Sequence, residues 1–409
     1  MADARIGLDR THADALDAAD PLARFRERFA GHDDGLIYLD GNSLGRLPLV
    51  TAARVADEVG VRWGQRLIRG WDEGWMEMPV RVADALGAAV LGAAAGQTVL
   101  GDSTTVCFYK LASAALAMRP GRTQIVTDED NFPTDRYVLE GLAAAHGLEI
   151  VWLAVPPDAG VTPELVASAV GPDTALVTFS HVAYRSGFMA DMAAVSRVAH
   201  DAGALGLWDL SHSVGSVPLA LDADGADLAV GCTYKYLNAG PGAPAFMYAR
   251  EGLQDELRQP IWGWLGRRDP FEMGPGYSVA PGISGLLSGT PPVLGMACVE
   301  EGVRLIAEAG IDAIRRKGIE LTSLAMALAD STLSALGVGV GSPRDPQRRG
   351  AHVALSHADA QRLCRELTAR DVIPDFRQPE VIRVGLSPLT TRFVDVWDGL
   401  EVLRELLDG

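Results

Sequence analysis

The feature of this sequence that most constrains its fold is a regular alternation of short apolar runs with helix-like stretches between about residues 95 and 250. Alanine-rich stretches with helical spacing, such as residues 192–204, separate several of these runs. Strands that alternate with helices predict an α/β fold with a mostly parallel sheet and helices on both of its faces. The runs that we interpret as buried strands are residues 124–127, 149–154, 175–179, 205–208 and 227–231.

Beyond about residue 300 the pattern changes to that of a smaller α+β domain. Between the two regions, residues 259–292 are rich in glycine, proline and tryptophan, which predicts a long functional loop region. In the C-terminal part we predict helices at residues 301–316, 322–336, 358–370 and 394–407, and strands at residues 351–355 and 381–384.

Polar residues follow four of the predicted strands. Ligands of open parallel sheets bind beyond the carboxyl ends of the strands, so we expect these residues to line one crevice. The histidines among them lack the spacing of a metal site. The residues are 128–135 after the first strand, Ser180 and His181 after the third, Asp209, Ser211 and His212 after the fourth, and Thr233, Tyr234 and Lys235 after the fifth.

Lys235 is one of only three lysines in 409 residues, the others being Lys110 and Lys317. It follows a predicted buried strand, where desolvation lowers the pKa of an amine toward nucleophilic competence. Asp209 ends the preceding strand, and a pyridoxal phosphate site needs a lysine for the Schiff base and a carboxylate at the pyridinium nitrogen. From position alone, a surface lysine in an ion pair is the alternative. We expect Lys317 to end the helix at residues 301–316, where a cation suits the helix dipole.

Residues 101–105 open a predicted helix at residues 106–118 with a glycine, a serine and two threonines. Backbone N–H groups at a helix start, together with hydroxyl groups, are what a cofactor phosphate requires. An ordinary helix cap is the alternative. Phe132 either stacks on a cofactor ring or belongs to the core. The sequence contains neither a GxGxxG segment that opens a helix nor a GxxxxGK[ST] segment, which argues against dinucleotide and P-loop sites.

The formal charge of −17 argues against a protein that binds nucleic acid. The first 20 residues lack an apolar core, and no run of about 18 apolar residues occurs, so we expect neither a secretory signal nor a membrane span. The cysteines lie far apart in the chain without a CxxC pair, which favours free thiols in a reducing cytoplasm. They are Cys107, Cys232, Cys298 and Cys364.

Several segments of this sequence resemble kynureninases, and they run in the order of that family from about residue 38 to residue 385. They are LDGNSLG at 39–45, NFPTD at 131–135, WDLSHSVG at 208–215, YKYLNAGPG at 234–242, SGTPP at 288–292 and VIRV at 381–384. The resemblance implies the type I fold of pyridoxal phosphate enzymes, with a seven-stranded sheet in the large domain and a homodimer whose active sites lie at the interface. It also implies a segment 1–55 that packs with the small domain, a large domain 56–299 and a small domain 300–409.

The resemblance further implies a role for each residue at a matching position. Lys235, Tyr234 and Asp209 are the expected catalytic residues. The residues expected to bind pyridoxal phosphate are Thr104, Thr105, Phe132, Asp135, Ser180, Asp209, His212, Tyr234 and Lys235, with Trp264 and Thr290 reaching the phosphate from the neighbouring subunit. The residues expected to bind substrate are Arg383, as a clamp on the α-carboxylate, together with Trp71, Ser43 and Gly289.

Kynureninases hydrolyse the Cβ–Cγ bond of L-kynurenine to anthranilate and L-alanine, within the kynurenine pathway of tryptophan catabolism that also leads to NAD. Tyr234 is our candidate for proton transfer at the ketone, with phosphate binding alone as the alternative. Relatives that favour 3-hydroxykynurenine tend to carry asparagine where Thr290 stands and a histidine near Trp71. Thr290 and Trp71 therefore resemble the bacterial type, and L-kynurenine is the expected substrate.

Two other functions fit parts of the sequence. A cysteine desulfurase of the same fold needs a nucleophilic cysteine on an exposed loop, whereas Cys364 and Cys298 lie in helix-like segments. A relative that binds the cofactor but has lost catalysis would lack one of the motif residues, and every such position is filled.

Overall fold

The structure, a computed structural model, describes residues 8–156 and 158–409, so residues 1–7 of the predicted N-terminal segment lie outside it. Its largest sheet has seven strands, as predicted, and contains β2 to β8. The strands in the first 249 residues are β1 (Ile37–Tyr38), β2 (Thr98–Gly101), β3 (Gln124–Asp128), β4 (Glu149–Leu153), β5 (Thr174–Ser180), β6 (Leu205–Asp209), β7 (Leu228–Gly231) and β8 (Ala245–Ala249).

The order of strands across this sheet is β2-β8-β7-β6-β5-β3-β4. All neighbouring pairs from β7 to β4 are parallel, and only β8 runs antiparallel to its neighbours β7 and β2. The mostly parallel sheet predicted from the alternation is therefore confirmed. The order reverses between β3 and β5, and such a reversal opens a crevice at the carboxyl ends of the strands. The two strands that the sequence analysis missed, β2 and β8, lie at the mixed edge.

The helices cover both faces of the sheet. Those before residue 310 are α1 (Arg10–Ala19), α2 (Ala23–Arg26), α3 (Leu49–Asp57), α4 (Met78–Leu86), α5 (Thr104–Ala117), α6 (Pro133–His146), α7 (Pro163–Ala167), α8 (Met192–Asp201), α9 (Glu251–Gln254) and α10 (Val293–Ala309). Successive strand residues point to opposite faces. Ile125 accordingly packs in the core that contains α5, and Val126 packs in the core that contains α4, α8 and α10.

The C-terminal part contains a smaller antiparallel sheet of four strands in the order β12-β13-β10-β9. Its elements are α11 (Ile311–Leu328), β9 (Gly339–Val340), β10 (His352–Ser356), α12 (Ala360–Thr368), β11 (Val372–Ile373), β12 (Asp375–Arg377), β13 (Val381–Gly385) and α13 (Phe393–Asp408). The N-terminal segment joins this part, because β1 pairs with β11 and the Asp17 carboxylate accepts hydrogen bonds from the first two N–H groups of α13. The three-part domain division given above remains a prediction.

The predicted single helix at residues 301–316 is wrong. Helix α10 ends at Ala309, Gly310 adopts a φ of +79°, and α11 begins at Ile311. A residue with a positive φ cannot continue a right-handed α-helix, and glycine adopts such a φ most easily. Lys317 consequently does not end a helix as we expected. It lies within α11, where it is buried and forms an ion pair with Asp20 at 2.7 Å.

The helical stretch from residue 311 to residue 336 is long and apolar enough to cross a membrane by length and composition alone. Its apolar residues Leu321, Leu324 and Leu328 pack in the core of the C-terminal part. Its charged residues Arg315 and Lys317 are also buried and bonded within the protein. This packing is that of a core helix.

Helix α10 passes very close to the segment that follows β7. A Cβ atom added at Gly302 would lie 2.0 Å from the backbone oxygen of Leu237. We therefore expect Gly302→Ala to lower the free energy of unfolding by about 1–3 kcal/mol, because the backbone must move to relieve the overlap. Urea unfolding followed by circular dichroism measures this change.

The matched control is Gly141→Ala, in the exposed middle of α6, where an added Cβ meets nothing within 4 Å. This substitution should raise the free energy of unfolding by about 0.5–1 kcal/mol, since glycine is entropically unfavourable in a helix. Equal effects of the two substitutions would contradict the close approach at Gly302.

Candidate active site

A cavity of about 280 Å³ lies at the carboxyl ends of β3, β6 and β7. Residues that follow three of the four strands expected to share a crevice line this cavity, whereas Ser180, at the end of β5, lines a separate one. The lining residues are Ser103, Thr104, Thr105, Phe132, Thr134, Asp135, Asp209, Ser211, Tyr234 and Lys235. The cavity therefore contains an amine, two carboxyl groups, several hydroxyl groups and an aromatic ring.

Lys235 is almost completely buried, with 7% of its surface exposed. Its Nζ lies 3.4 Å from Nδ1 and 3.2 Å from Nε2 of His212, and 5.7 Å from the centre of the Phe132 ring. Burial lowers the pKa of the Lys235 amine, although the nearby Cys232 and Asp209 oppose this effect. The amine is thus held between two rings in a setting that favours its neutral, nucleophilic form.

The two carboxyl groups of the cavity are held differently. The Ser211 backbone N–H donates to Oδ1 of Asp209 at 2.8 Å, which orients that carboxylate. Burial and the charge of Asp209 raise the pKa of Asp135 well above its usual value. Oδ2 of Asp135 is buried and has no hydrogen-bond partner. Asp135 therefore favours its neutral acid form, and the Asp209 side chain, oriented by the Ser211 N–H, is the one that a cation of a ligand can face.

The cavity is also lined by hydroxyl groups at the start of α5. The Ser103 hydroxyl accepts from the Val106 N–H at 3.5 Å and caps the helix, while Thr104 and Thr105 begin its first turn. Burial raises the pKa of the Tyr234 phenol, so the phenol keeps its proton at neutral pH. Hydroxyl donors and a helix N-terminus together favour an anion at the start of α5.

His212 and His352 lie side by side, with ring centres 5.5 Å apart. Burial and the nearby Lys235 lower the pKa of His212 well below its usual value. Burial, assisted by Arg383, lowers the pKa of His352 to about 3. Both imidazoles are therefore neutral at physiological pH. The sequence analysis missed His352, which reaches this place from β10, and both of its ring nitrogens lack a partner.

Arg383 is buried on β13 and its guanidinium is held by three groups. Its Nε donates to Oδ1 of Asp375 at 2.7 Å, its Nη1 donates to the Tyr184 carbonyl at 2.6 Å, and its Nη2 donates to the Ser43 hydroxyl at 3.2 Å. Burial raises the pKa of Asp375, but its bond to Arg383 and the Arg383 charge outweigh this and leave it below the usual value. The structure thus brings together Ser43 and Arg383, two of the predicted substrate residues.

The segment 39–45 reaches the lysine loop because Gly45 has no side chain. Its N–H donates to the Tyr234 carbonyl at 2.8 Å. A Cβ at Gly45 would lie 2.3 Å from both the Lys235 carbonyl oxygen and Oδ1 of Asn238. This close backbone approach gives a physical reason for the glycine in that motif.

Some predicted residues lie outside the cavity of Lys235 in this chain. Ser180 donates to Oδ1 of Asn131 at 2.8 Å and lines a separate small cavity. Trp71 packs edge-on against Trp264, with ring centres 5.8 Å apart. Gly289 and Thr290 are exposed.

Two of the partners of Arg383 carry no signal in the sequence, and a third lies in a segment that the sequence analysis recognised. Asp375 lies opposite Arg383 in the pairing of β12 with β13, and Tyr184 comes from a loop nearly 200 residues away. No local pattern marks either residue. Asn42 lies within the recognised segment 39–45, and its amide oxygen, in the orientation that satisfies its neighbours, accepts from Arg383 at 3.1 Å.

The residues of the cavity fit pyridoxal phosphate. A buried amine can bind the aldehyde, a carboxylate can face the ring nitrogen, and hydroxyl groups at a helix start can hold the phosphate. Asp135 offers the buried, unpartnered oxygen that a polar ligand can satisfy. The observed donor set is therefore the one that this cofactor requires.

The cysteines do not provide an exposed loop nucleophile. All four are free thiols, and Cys364 is buried in α12, where burial raises its pKa to about 12. Cys298 is partly buried within α10, and burial raises its pKa as well. The thiolate is the reactive form of cysteine, so neither residue has the properties of a catalytic nucleophile.

The fold is similar to solved structures of other pyridoxal phosphate enzymes. The apo cysteine desulfurase of Thermococcus onnurineus NA1 superimposes with a TM-score of 0.81 at 19% identity, covering 95% of this chain and 98% of that chain. The Escherichia coli cysteine desulfurase CsdA gives a TM-score of 0.77 at 17% identity over 94% of this chain and 98% of that chain. At such low identity the likeness shows the fold alone, which is type I.

The similarity to curated sequences is much higher. A family model described as the kynureninase C-terminal domain matches residues 314–403. Kynureninase of Burkholderia pseudomallei strain K96243 is 43% identical, covering 98% of this chain and 95% of the relative. Kynureninase of Pseudomonas fluorescens is 41% identical, covering 96% of this chain and 94% of the relative. With this identity along nearly the whole of both chains, the protein belongs to the kynureninase family.

Proposed function

We propose that this protein is a hydrolase that uses pyridoxal phosphate to cleave the Cβ–Cγ bond of L-kynurenine, releasing anthranilate and L-alanine. The observation that carries the proposal is the buried Lys235 amine, which shares one cavity with the Asp209 carboxylate. Membership of the kynureninase family selects this reaction among those that the type I fold supports.

When bound, pyridoxal phosphate supplies an electrophilic aldehyde and a ring that accepts electrons from the substrate's α-carbon. Asp209, oriented by the hydrogen bond from the Ser211 N–H, would face the ring nitrogen and keep it protonated. Phe132 would cover one face of the ring. Thr104, Thr105 and Tyr234 would hold the phosphate, and His212, 3.2 Å from the Lys235 Nζ, would lie by the ring hydroxyl. Ser180 bonds to Asn131 and does not line this cavity.

Lys235 carries the cofactor and then moves protons. Its lowered pKa keeps the amine able to attack the aldehyde and, once released, to remove the proton from the substrate's α-carbon. His212 is neutral and lies within 3.4 Å of Nζ, so it does not oppose a positive charge that forms on the amine.

Tyr234 supplies a proton at the substrate ketone. Its raised pKa keeps the phenol protonated, and a protonated phenol can donate to the ketone oxygen as water adds. Arg383 binds the α-carboxylate of the substrate. All three nitrogens of its guanidinium already have partners, so the substrate carboxylate would have to take over one of these bonds. The bond from Nη2 to the neutral Ser43 hydroxyl, at 3.2 Å, is the longest of them.

The proposed assembly is a homodimer with the active sites at the interface. This chain exposes several large apolar side chains, and such side chains mark protein interfaces where they lie together in a patch. Such a dimer would place Trp264, Thr290, Trp71 and Gly289 near the site of the other subunit, since none of them lines the cavity of Lys235 in its own chain. The exposed apolar side chains include Leu47, Leu49, Trp63, Leu67, Ile68, Trp262, Phe271 and Met273.

Lys235→Met should abolish the visible absorption of bound cofactor and lower kcat/KM for L-kynurenine by roughly 10³-fold or more, because the amine both binds the aldehyde and moves the proton. Absorption spectra and anthranilate fluorescence measure these changes. The matched control is Tyr236→Phe, which removes a buried hydroxyl without a hydrogen-bond partner one residue away and should change neither. A variant at Lys235 that still forms anthranilate at the wild-type rate would refute the assignment.

The same Lys235→Met substitution should stabilise the cofactor-free protein at pH 7. The pKa of Lys235 is lowered in the folded state, so below the ordinary lysine pKa of about 10.4 the unfolded chain binds more protons than the folded one. The resulting penalty acts at neutral pH and disappears as the pH rises above about 10.4. Denaturant unfolding between pH 7 and pH 10.5 should therefore show a gain that shrinks with pH.

The control for this prediction is Lys317→Met, which removes the cation of the buried ion pair between Lys317 and Asp20. It should destabilise the protein by about 3 kcal/mol at pH 7, because it leaves a buried carboxylate unpaired. A loss of stability in both variants would contradict the uncompensated burial of Lys235.

Thr290→Asn should shift the ratio of kcat/KM values toward 3-hydroxy-L-kynurenine by about tenfold, because one added hydrogen bond to the extra hydroxyl contributes about 1 kcal/mol and about 1.4 kcal/mol is a factor of ten. Paired steady-state kinetics on the two substrates measure this ratio. Thr123→Asn, at an exposed threonine directly before β3 and so at the amino ends of the parallel strands, away from the cavity, is the matched control. An unchanged ratio in the Thr290 variant would show that this residue does not select the substrate.

A further inference from the structure

Lys110 is a completely buried lysine outside the cavity of Lys235. It lies in the second turn of α5, and none of its side chain is exposed. Its Nζ forms an ion pair with Oδ2 of Asp102 at 2.5 Å and donates to the Leu286 carbonyl at 3.1 Å. Burying an ammonium group is costly unless it is paired, so this lysine requires Asp102.

Asp102 stands directly before the residues that line the cavity at the start of α5. It adopts a φ of +49°, in the left-handed region that residues other than glycine rarely occupy. Its carbonyl accepts from the Ala245 N–H at 3.0 Å, and Ser103 then caps α5. The Asp102 carboxylate therefore belongs to the turn that places residues 103–105 at the cavity.

A carboxylate at this position raises an electrostatic problem for the proposed phosphate site. A dianion held by residues 103–105 is repelled by a free carboxylate one residue away, and helix N-termini favour anions only if the local charge allows it. The ammonium of Lys110 cancels the Asp102 charge from the buried side. It also bonds to Leu286, at the end of the 3-10 helix Gly282–Leu286, and so restrains the turn against a second segment.

We propose that Lys110 is a positioning residue that neutralises and restrains the Asp102 turn, so that residues 103–105 can bind the phosphate of the cofactor. This inference rests on the proposed cofactor site. Lys110 touches neither the substrate nor the cofactor in this arrangement, and it acts through Asp102. Its removal should therefore affect the phosphate group selectively and leave recognition of the pyridine ring unchanged.

The test compares pyridoxal phosphate with pyridoxal, which lacks the phosphate, in titrations of the full-length cofactor-free protein followed by absorption. Lys110→Met should weaken pyridoxal phosphate binding by about tenfold and pyridoxal binding by less than about twofold, because one uncompensated charge acts on the dianion alone. Asp102→Asn should not weaken pyridoxal phosphate binding, since it removes the carboxylate that repels the dianion, and any charge that Lys110 keeps without its partner adds to the attraction.

The double variant Lys110→Met with Asp102→Asn removes both charges and should restore the wild-type preference to within about threefold. If Lys110 had a purely structural role, every variant would bind both pyridoxal phosphate and pyridoxal more weakly, and that result would overturn the inference. An unchanged preference for pyridoxal phosphate in Lys110→Met would also overturn it. If Lys110→Met does not fold, Asp102→Asn and the double variant decide the matter, because a tenfold loss of the preference for the phosphorylated form in either of them would overturn the inference. Failure of the wild-type protein to bind pyridoxal phosphate would instead refute the proposed cofactor site.

Discussion

The burial of the Lys235 amine is the constraint on which the rest of the site depends. An amine that is only 7% exposed and lacks a carboxylate in contact favours its neutral form, which is the reactive one. The surrounding groups are compatible with that state, because His212 and His352 are also held neutral by burial. The site therefore gives up some stability of the cofactor-free chain in return for a nucleophile, as functional sites commonly do.

Three separate parts of the chain build this environment. The large sheet supplies Asp209 and Lys235 at the ends of adjacent strands. The N-terminal segment brings Gly45 against the backbone of the lysine loop, and the C-terminal sheet brings Arg383 beside Ser43. The first of these contacts is a close backbone approach and the second a side-chain hydrogen bond, so all three parts of the chain must be in place to form the site.

Charge compensation recurs away from the amine. Asp375 holds Arg383, Asp20 holds Lys317, and Asp102 holds Lys110, so both of the other lysines and the predicted substrate arginine have an acidic partner that Lys235 lacks. The helix expected at residues 301–316 was wrong because one glycine, Gly310, separates two helices that share an apolar pattern. That error also misplaced Lys317, which periodicity assigned to a helix end and which is buried in the middle of α11.

The sequence by itself determined the parallel sheet, because strand periodicity and alternation are local properties, and it identified the lysine and the carboxylate at adjacent strand ends. The motif residues also predicted the family, which the full-length relatives confirm. Only the tertiary structure decided the partners of Arg383 and the position of His352, because they come from strands and loops distant in the chain. It also decided which lysine is unpaired, since pairing depends on side chains that meet only after the chain has folded.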